Sequence, residues 1–254
     1  MEPLRWRRDE FVNAIVLSIG TTHPWNVAGV GRDLVVGCDF GARVFTTVVA
    51  VSAQDSRAVT ALHPVPPDAI AAQLDAMPWE AAGAVRVGAL PALAAVRAVS
   101  AALRLRPWLP AVVDTVFAAS AGGELTDTAG RYAVRDELAN LPNVTLTPNL
   151  DEAAFLLGIS VISRDTIGEA AAALQARGAA AVLVKGGHLD GEPVDALATP
   201  GGVEIFSEPR IAGAMHGTGC TLAMALACEL AGGTPIAQAV RAARAYVRAQ
   251  LARH

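Results

Sequence analysis

The chain has 254 residues, 53% of them hydrophobic and only 17% charged, which excludes a disordered chain and supplies apolar surface for a sizeable core. Its net charge of -4 argues against a general binder of nucleic acid or anionic membrane. No apolar run approaches the ~18 residues that mark a membrane-spanning helix. Cys38, Cys220 and Cys228 are too scattered for a disulfide framework, and no CxxC pair suggests zinc. The charged N-terminus does not read as a signal peptide, so a reducing cytoplasm is the expected compartment.

Short β-branched runs alternate with longer Ala-rich amphipathic segments. Strands are expected at 13–19, 43–51, 84–88, 111–116, 143–147 and 180–184. Helices are expected at 29–40, 67–76, 91–104, near 131–140, and at 149–157 and 165–177. Two short strands near 194–198 and 202–207 read as a hairpin around Pro200, Gly201 and Gly202. Helices at 217–232 and 235–252 close the chain. This alternation predicts an α/β fold, a mostly parallel sheet covered by helices on both faces, with the whole of 1–254 as one domain. In such a fold ligands bind at the carboxyl ends of the strands, so the loops after residues 19, 51, 88, 116, 147, 185 and 210 are where chemistry is expected.

Three segments at those strand ends carry chemistry. Met215 to Thr221 reads Met-His-Gly-Thr-Gly-Cys-Thr, two glycines at the mouth of an Ala-rich helix. The free amides of Thr218, Gly219 and Cys220 suit phosphate, and a helix N-terminus lowers a thiol pKa, so Cys220 is expected to be partly thiolate near neutrality. A simple glycine turn would give the same letters. Thr147 to Ala153 reads Thr-Pro-Asn-Leu-Asp-Glu-Ala. Asn149 and Glu152 are spaced for a capping box, and they are equally the hard oxygen ligands that hold Mg2+ or its waters. Lys185 ends an apolar strand, is followed by Gly186 and Gly187, and is the chain's single lysine against nineteen arginines. A compact point charge aimed into the crevice is the functional reading; a chance survivor of an Arg-biased composition is the bland one. No Walker motif, dinucleotide fingerprint or GxSxG elbow occurs.

Taken together, these segments resemble the ribokinase-like superfamily, in particular the hydroxymethylpyrimidine/phosphomethylpyrimidine kinases. Thr147 to Leu156 resembles the family's T-P-N-x-x-E-A-x-x-L, Val182 to His188 its V-x-x-K-G-G-H, and His216 to Thr221 its H-G-T-G-C-T. The Cys at 220, where sugar kinases carry Asp, is the mark of the pyrimidine and pyridoxal branch. Weaker likeness at 53–56 aligns Gln54 with a ring-contacting glutamine. The resemblance implies a three-layer α/β/α fold and an ATP- and Mg2+-dependent kinase of thiamine biosynthesis. Its acceptor is a small heteroaromatic alcohol, 4-amino-5-hydroxymethyl-2-methylpyrimidine or its monophosphate, and a homodimer is expected. It also implies roles. Gly217, Thr218, Gly219 and Cys220 would serve the transferring phosphoryl. Lys185 and Gly187 would contact nucleotide phosphate; the place of Lys185 after an apolar strand further predicts that it serves phosphate and not fold stability. Asn149 and Glu152 would hold Mg2+ through water, and Gly20, Asp33, Gln54 and Asp114 would contact the acceptor.

The first loop departs from the family's A-G-S-D-P-S-G-G-A-G. Here residues 19–29 place His23 near the loop Asp and Asn26-Val27 at the central glycine pair. Val27 disfavours positive φ, so a new path is expected, with Trp25 capping a ring pocket or filling it. Arg86 stands where Lys is usual, and Ser120 stands near another missing Lys. The open alternatives are a pyridoxal kinase of the same branch and a non-catalytic pyrimidine sensor.

Overall fold

A computed structural model describes residues 14–55, 57–119, 122–187, 189, 191–211, 213 and 215–253. Ser120 and His188, singled out above, lie outside the described residues, as do Asn13 and Ser56. Among the described residues, nine strands form one sheet in the order β3-β2-β1-β4-β5-β6-β7-β8-β9. They are β1 (Ile15–Thr22), β2 (Arg43–Gln54), β3 (Val59–Pro64), β4 (Ala84–Val87), β5 (Ala111–Val113), β6 (Val144–Leu146), β7 (Ala181–Gly186), β8 (Val194–Thr199) and β9 (Gly202–Ser207). The strands from β2 to β7 are parallel, with β1 between β2 and β4, while β3 at one edge and β8 and β9 at the other run antiparallel.

Helices cover both faces. On one lie α2 (Pro67–Asp75), α3 (Leu93–Arg104), α4 (Thr128–Ala133), α5 (Leu150–Leu157) and α6 (Ile167–Gln175). On the other lie α1 (Gly29–Asp39), α7 (Thr218–Ala231) and α8 (Ile236–Leu251). The central strands read as continuous apolar runs because both of their faces are covered: Ile15 to Ile19 are all buried. α7 is apolar nearly all round for the same reason, with Ala223 to Ala227 fully buried between the sheet, α1 and α8.

The predicted elements stand, with three differences. β3 was not expected; it is a short edge strand ending His63-Pro64, where Pro is tolerated. β5 stops at Val113, three residues before the predicted end, which frees Asp114, Thr115 and Val116 to turn towards the carboxyl ends. The helix expected near 131–140 begins earlier, where Asp127 caps Gly130 N at 2.6 Å, and finishes in a π turn over Val134–Leu138. The strand order reverses at β1, between β2 and β4, and the cleft described next lies over that switch point.

Candidate active site

Short strands deliver the site's charged groups to one level. Lys185, near the end of β7, places Nζ 2.8 Å from Asp114 Oδ1, just beyond β5. Thr147, just beyond β6, donates its hydroxyl to the same oxygen at 3.1 Å. Burial alone would raise the Asp114 carboxyl, but Lys185 and Arg86 hold it below its ordinary value. Lys185 in turn stays charged, because Asp114 and Glu152 outweigh the cost of its burial. Lys185 is thus also the counter-ion of a buried carboxylate, a structural partner that its place after an apolar strand does not announce.

Beside this pair, α5 starts with a complete capping box. Asn149 Oδ1 accepts from Glu152 N at 2.9 Å, and Glu152 Oε2 accepts from Asn149 N at 2.7 Å. Both residues nonetheless line the cleft, so capping and site position coincide. Burial, reinforced by Asp114 and opposed by Lys185, pushes the Glu152 carboxyl up to about 7.

Over the pair sits the N-terminus of α7. Gly217 is its N-cap with φ 75°, and no side chain caps the first turn. The amides of Thr218, Gly219 and Cys220 thus have no intrahelical partner and sit at the positive end of a 14-residue helix. A Cβ at Gly219 would stand 3.3 Å from Lys185 Nζ and 3.5 Å from Asp114 Oδ2, so the turn passes close to the ion pair. Cys220 is half-buried in this first turn. Burial pushes its thiol up, with Arg86 opposing, so the thiolate expected near neutrality is corrected: loss of solvent outweighs the helix terminus.

Two cavities meet at this wall. The first, of about 200 Å³, is lined by the 21–29 lip, Gln54, Asp114, Asn149, Glu152 and the Gly217–Cys220 turn. The second, of about 270 Å³, is lined by Arg210, Ile211, Leu222, Arg244, Val247 and Arg248 among others. Lys185, Gly187, Thr218 and Gly219 belong to both.

The lip follows its own course. Asn26, not Val27, takes positive φ, at 52°. That is the residue type which tolerates it. His23 Nε2 accepts from Ala28 N at 3.2 Å, and the Val27 carbonyl accepts from Arg32 Nε at 3.3 Å. The same carbonyl lies so close to Gly217 that a Cβ there would collide with it. Trp25 neither caps nor fills the cavity: it does not line it, and it is 58% exposed. The αL turn at Asn26 carries the chain back towards α7 and leaves the indole outside.

The structure brings together ten of the expected residues on these walls: Gln54, Asp114, Asn149, Glu152, Lys185, Gly187, Gly217, Thr218, Gly219 and Cys220. Gly20 and Asp33 are placed behind the wall. Asp33, expected at the ring edge, is fully buried, accepts from Ser18 Oγ at 2.6 Å and pairs with Arg86 Nη1 at 3.1 Å. Gly20 abuts the same guanidinium. Sequence reasoning missed the cationic lining of the second cavity and noted Arg86 only as a departure. A charged residue inside the otherwise apolar strand Ala-Val-Arg-Val was the available signal.

A mostly parallel sheet between two helical layers, with an uncapped helix N-terminus above a buried Lys–Asp pair, defines a phosphotransferase of the ribokinase-like fold. The family model described as phosphomethylpyrimidine kinase matches residues 24–254, and the chain belongs to that family. It is 37% identical, over 92% of its length and 87% of the relative's, to a hydroxymethylpyrimidine/phosphomethylpyrimidine kinase of Streptomyces coelicolor. It is 34% identical, over 96% of its length, to a thiamine biosynthesis bifunctional protein of Geobacter sulfurreducens, of which it spans half. Among solved structures it is similar to a phosphomethylpyrimidine kinase of Clostridium difficile, with TM-score 0.81 and 25% identity over 94% of this chain and 99% of that one. It is also similar to a Bacillus subtilis pyridoxal kinase in complex with ADP, with TM-score 0.84 and 27% identity over 92% and 90%. Among the described residues, no helix is long and apolar enough to cross a membrane.

Proposed function

We propose that this chain transfers the γ-phosphoryl group of ATP to the hydroxymethyl oxygen of 4-amino-5-hydroxymethyl-2-methylpyrimidine or its monophosphate, in thiamine biosynthesis. One observation carries the reading. The free amides of Thr218 and Gly219 belong to the wall shared by two cavities, with Gly219 beside Lys185 Nζ and Cys220 on the side of the first cavity. Phosphoryl transfer needs little more than alignment and charge neutralisation, and this wall supplies both.

The nucleotide occupies the cavity lined by Arg210, Arg244 and Arg248, with Lys185 and Gly187 at its phosphates. The acceptor ring occupies the other cavity, where Gln54 and Asp114 offer polar edges. Cys220 accepts the hydroxyl proton in its minor thiolate form, which becomes the thiol; the hydroxyl oxygen bonds to phosphorus, and the bridging oxygen leaves with ADP while the α7 amides bind the equatorial oxygens. Burial, which holds the thiol pKa up, makes that thiolate a strong base while keeping it the minor form.

Among the described residues, no group of three or more His, Cys, Asp or Glu gathers to hold a metal. A single buried carboxylate beside an amide oxygen suits Mg2+, which keeps most of its ligands as water and phosphate. Glu152 and Asn149 would hold it through water, where it would neutralise phosphate charge. The reading includes a homodimer, a single kinase domain supported by all nine strands joining one sheet, and a cytoplasmic home that suits three free cysteines.

The test is ADP release from ATP with the pyrimidine alcohol, its monophosphate and pyridoxal as separate acceptors. Turnover of the pyrimidines is expected. Turnover of pyridoxal alone would assign the chain to the neighbouring activity, and tight pyrimidine binding without ADP release would make it a sensor.

A further inference from the structure

Arg86 lies on β4, beneath the cleft, with no solvent exposure at all. Its slot is built for it. A Cβ at Gly88 would collide with Nη1, and one at Gly20, on the neighbouring strand β1, would stand 3.4 Å from the same nitrogen. Nη1 lies 3.1 Å from Asp33 Oδ2 on α1, and Nη2 lies 3.6 Å from Asp114 Oδ2. Its Nε, Nη1 and Nη2 have no hydrogen-bond partner of good geometry, and neither do Asp33 Oδ1 and Asp114 Oδ2. The cluster is held by charge rather than by fitted hydrogen bonds.

A buried ion pair of this kind is a poor device for stability, because an apolar side chain of similar volume often serves as well. Its orientation suggests another use. Arg86 lines the acceptor cavity from below, and its charge faces Cys220 on α7. The other charged groups around that thiol are Asp33 on α1, Asp114 beyond β5 and Lys185 on β7. Arg86 lowers the Cys220 thiol pKa, while Asp33 and Asp114 raise it.

We infer that Arg86 is a positioning residue for phosphoryl transfer: clamped between Asp33 and Asp114, its guanidinium fixes a positive charge beneath Cys220 and holds Asp114 in register with Lys185. The inference rests on the kinase reading above for its consequence, but its geometry is measurable without turnover. Arg86 acts through Cys220 and Asp114.

The test is the pH profile of Cys220 alkylation by iodoacetamide, followed by peptide mass spectrometry, with exposed Cys38 as internal control. The double variant Arg86→Met/Asp33→Asn removes the charge without leaving Asp33 unpaired. Its alkylation midpoint is expected to rise, because Arg86 opposes the upward shift of the thiol more than Asp33 reinforces it. Its kcat is expected to fall about tenfold or more, with the KM for ATP little changed. Arg86→Lys, which keeps a charge in the slot, should restore the wild-type midpoint. Gly88→Ala, which pushes the guanidinium aside while leaving it in the chain, should raise the midpoint as the double variant does, and it keeps the test open if that variant fails to fold. A folded double variant or Gly88→Ala protein with the wild-type midpoint would overturn the inference. A shifted midpoint in a protein that phosphorylates none of the acceptors would leave the geometry standing and refute the kinase reading instead.

Discussion

Lys185 Nζ lies 2.8 Å from Asp114 Oδ1, so the only lysine in the chain joins Arg86 in keeping a fully buried carboxylate ionised. The two roles of Lys185, partner of Asp114 and neighbour of both cavities, separate by experiment. Lys185→Met should raise the KM for ATP and also lower stability by about 3 kcal/mol, because Asp114 is left buried without its closest cation. Lys185→Met/Asp114→Asn should recover most of that stability while the KM for ATP stays high. Thermal melts and steady-state kinetics on both variants check this. A single variant with wild-type melting would show that Arg86 alone suffices to hold Asp114.

Cys220→Ala removes a thiol but leaves the backbone amide of the α7 first turn in place. The phosphate cradle should therefore survive while proton acceptance is lost. The expected outcome is a fall in kcat of about a hundredfold with the KM for ATP nearly unchanged. Initial rates over a range of ATP concentrations measure it, and a rise in KM for ATP that matches the loss in rate would place the thiol in nucleotide binding.

The pH dependence of stability carries the signature of Glu152. Burial raises its folded-state pKa to about 7, above the ordinary carboxylate range. The folded protein then binds a proton that the unfolded chain has released, so stability falls as pH rises towards 7 and levels off above it. Asp33, at about 6 through burial, adds to the same slope in its lower part. Asp114, held low, acts in the opposite sense, and its contribution is lost only in acid. Glu152→Gln keeps the capping geometry and removes the titration, so it should flatten the slope approaching neutrality. Denaturant midpoints measured from pH 5 to pH 8, with the window set by these shifts, test the point. An unchanged slope would mean that Glu152 ionises normally.

Trp25 stands outside the acceptor cavity. Trp25→Ala should change the KM for the acceptor by no more than about twofold, the range of an ordinary surface substitution. Acceptor binding should likewise leave its fluorescence unmoved. A larger loss of acceptor affinity would show that the lip swings inward during the reaction.

Much of the site was legible because its signals are local. The spacing of Asn149 and Glu152 predicts a capping box, and one is present. The glycines before an Ala-rich run predict an uncapped helix mouth, and α7 begins there. What stayed hidden depends on distance along the chain. The Arg86 cluster joins β4, α1 and the end of β5, and no window of sequence contains all three. The new path of the lip follows from the stiffness of Val27, but the place of Trp25 does not: it depends on the neighbouring Asn26, which absorbs the turn and leaves the indole outside. Edge strand β3 has neither a long apolar run nor full cover, and it gains its order from pairing with β2.

The shared wall of the two cavities has a kinetic consequence. A phosphoryl group that crosses directly from one basin to the other never needs to rest on the protein. Both basins must be filled at once, so double-reciprocal plots at several fixed acceptor concentrations should intersect rather than run parallel. Because each basin has its own lining apart from Lys185, Gly187, Thr218 and Gly219, neither substrate need wait for the other to enter. Isotope exchange between ADP and ATP should accordingly be silent until acceptor is added.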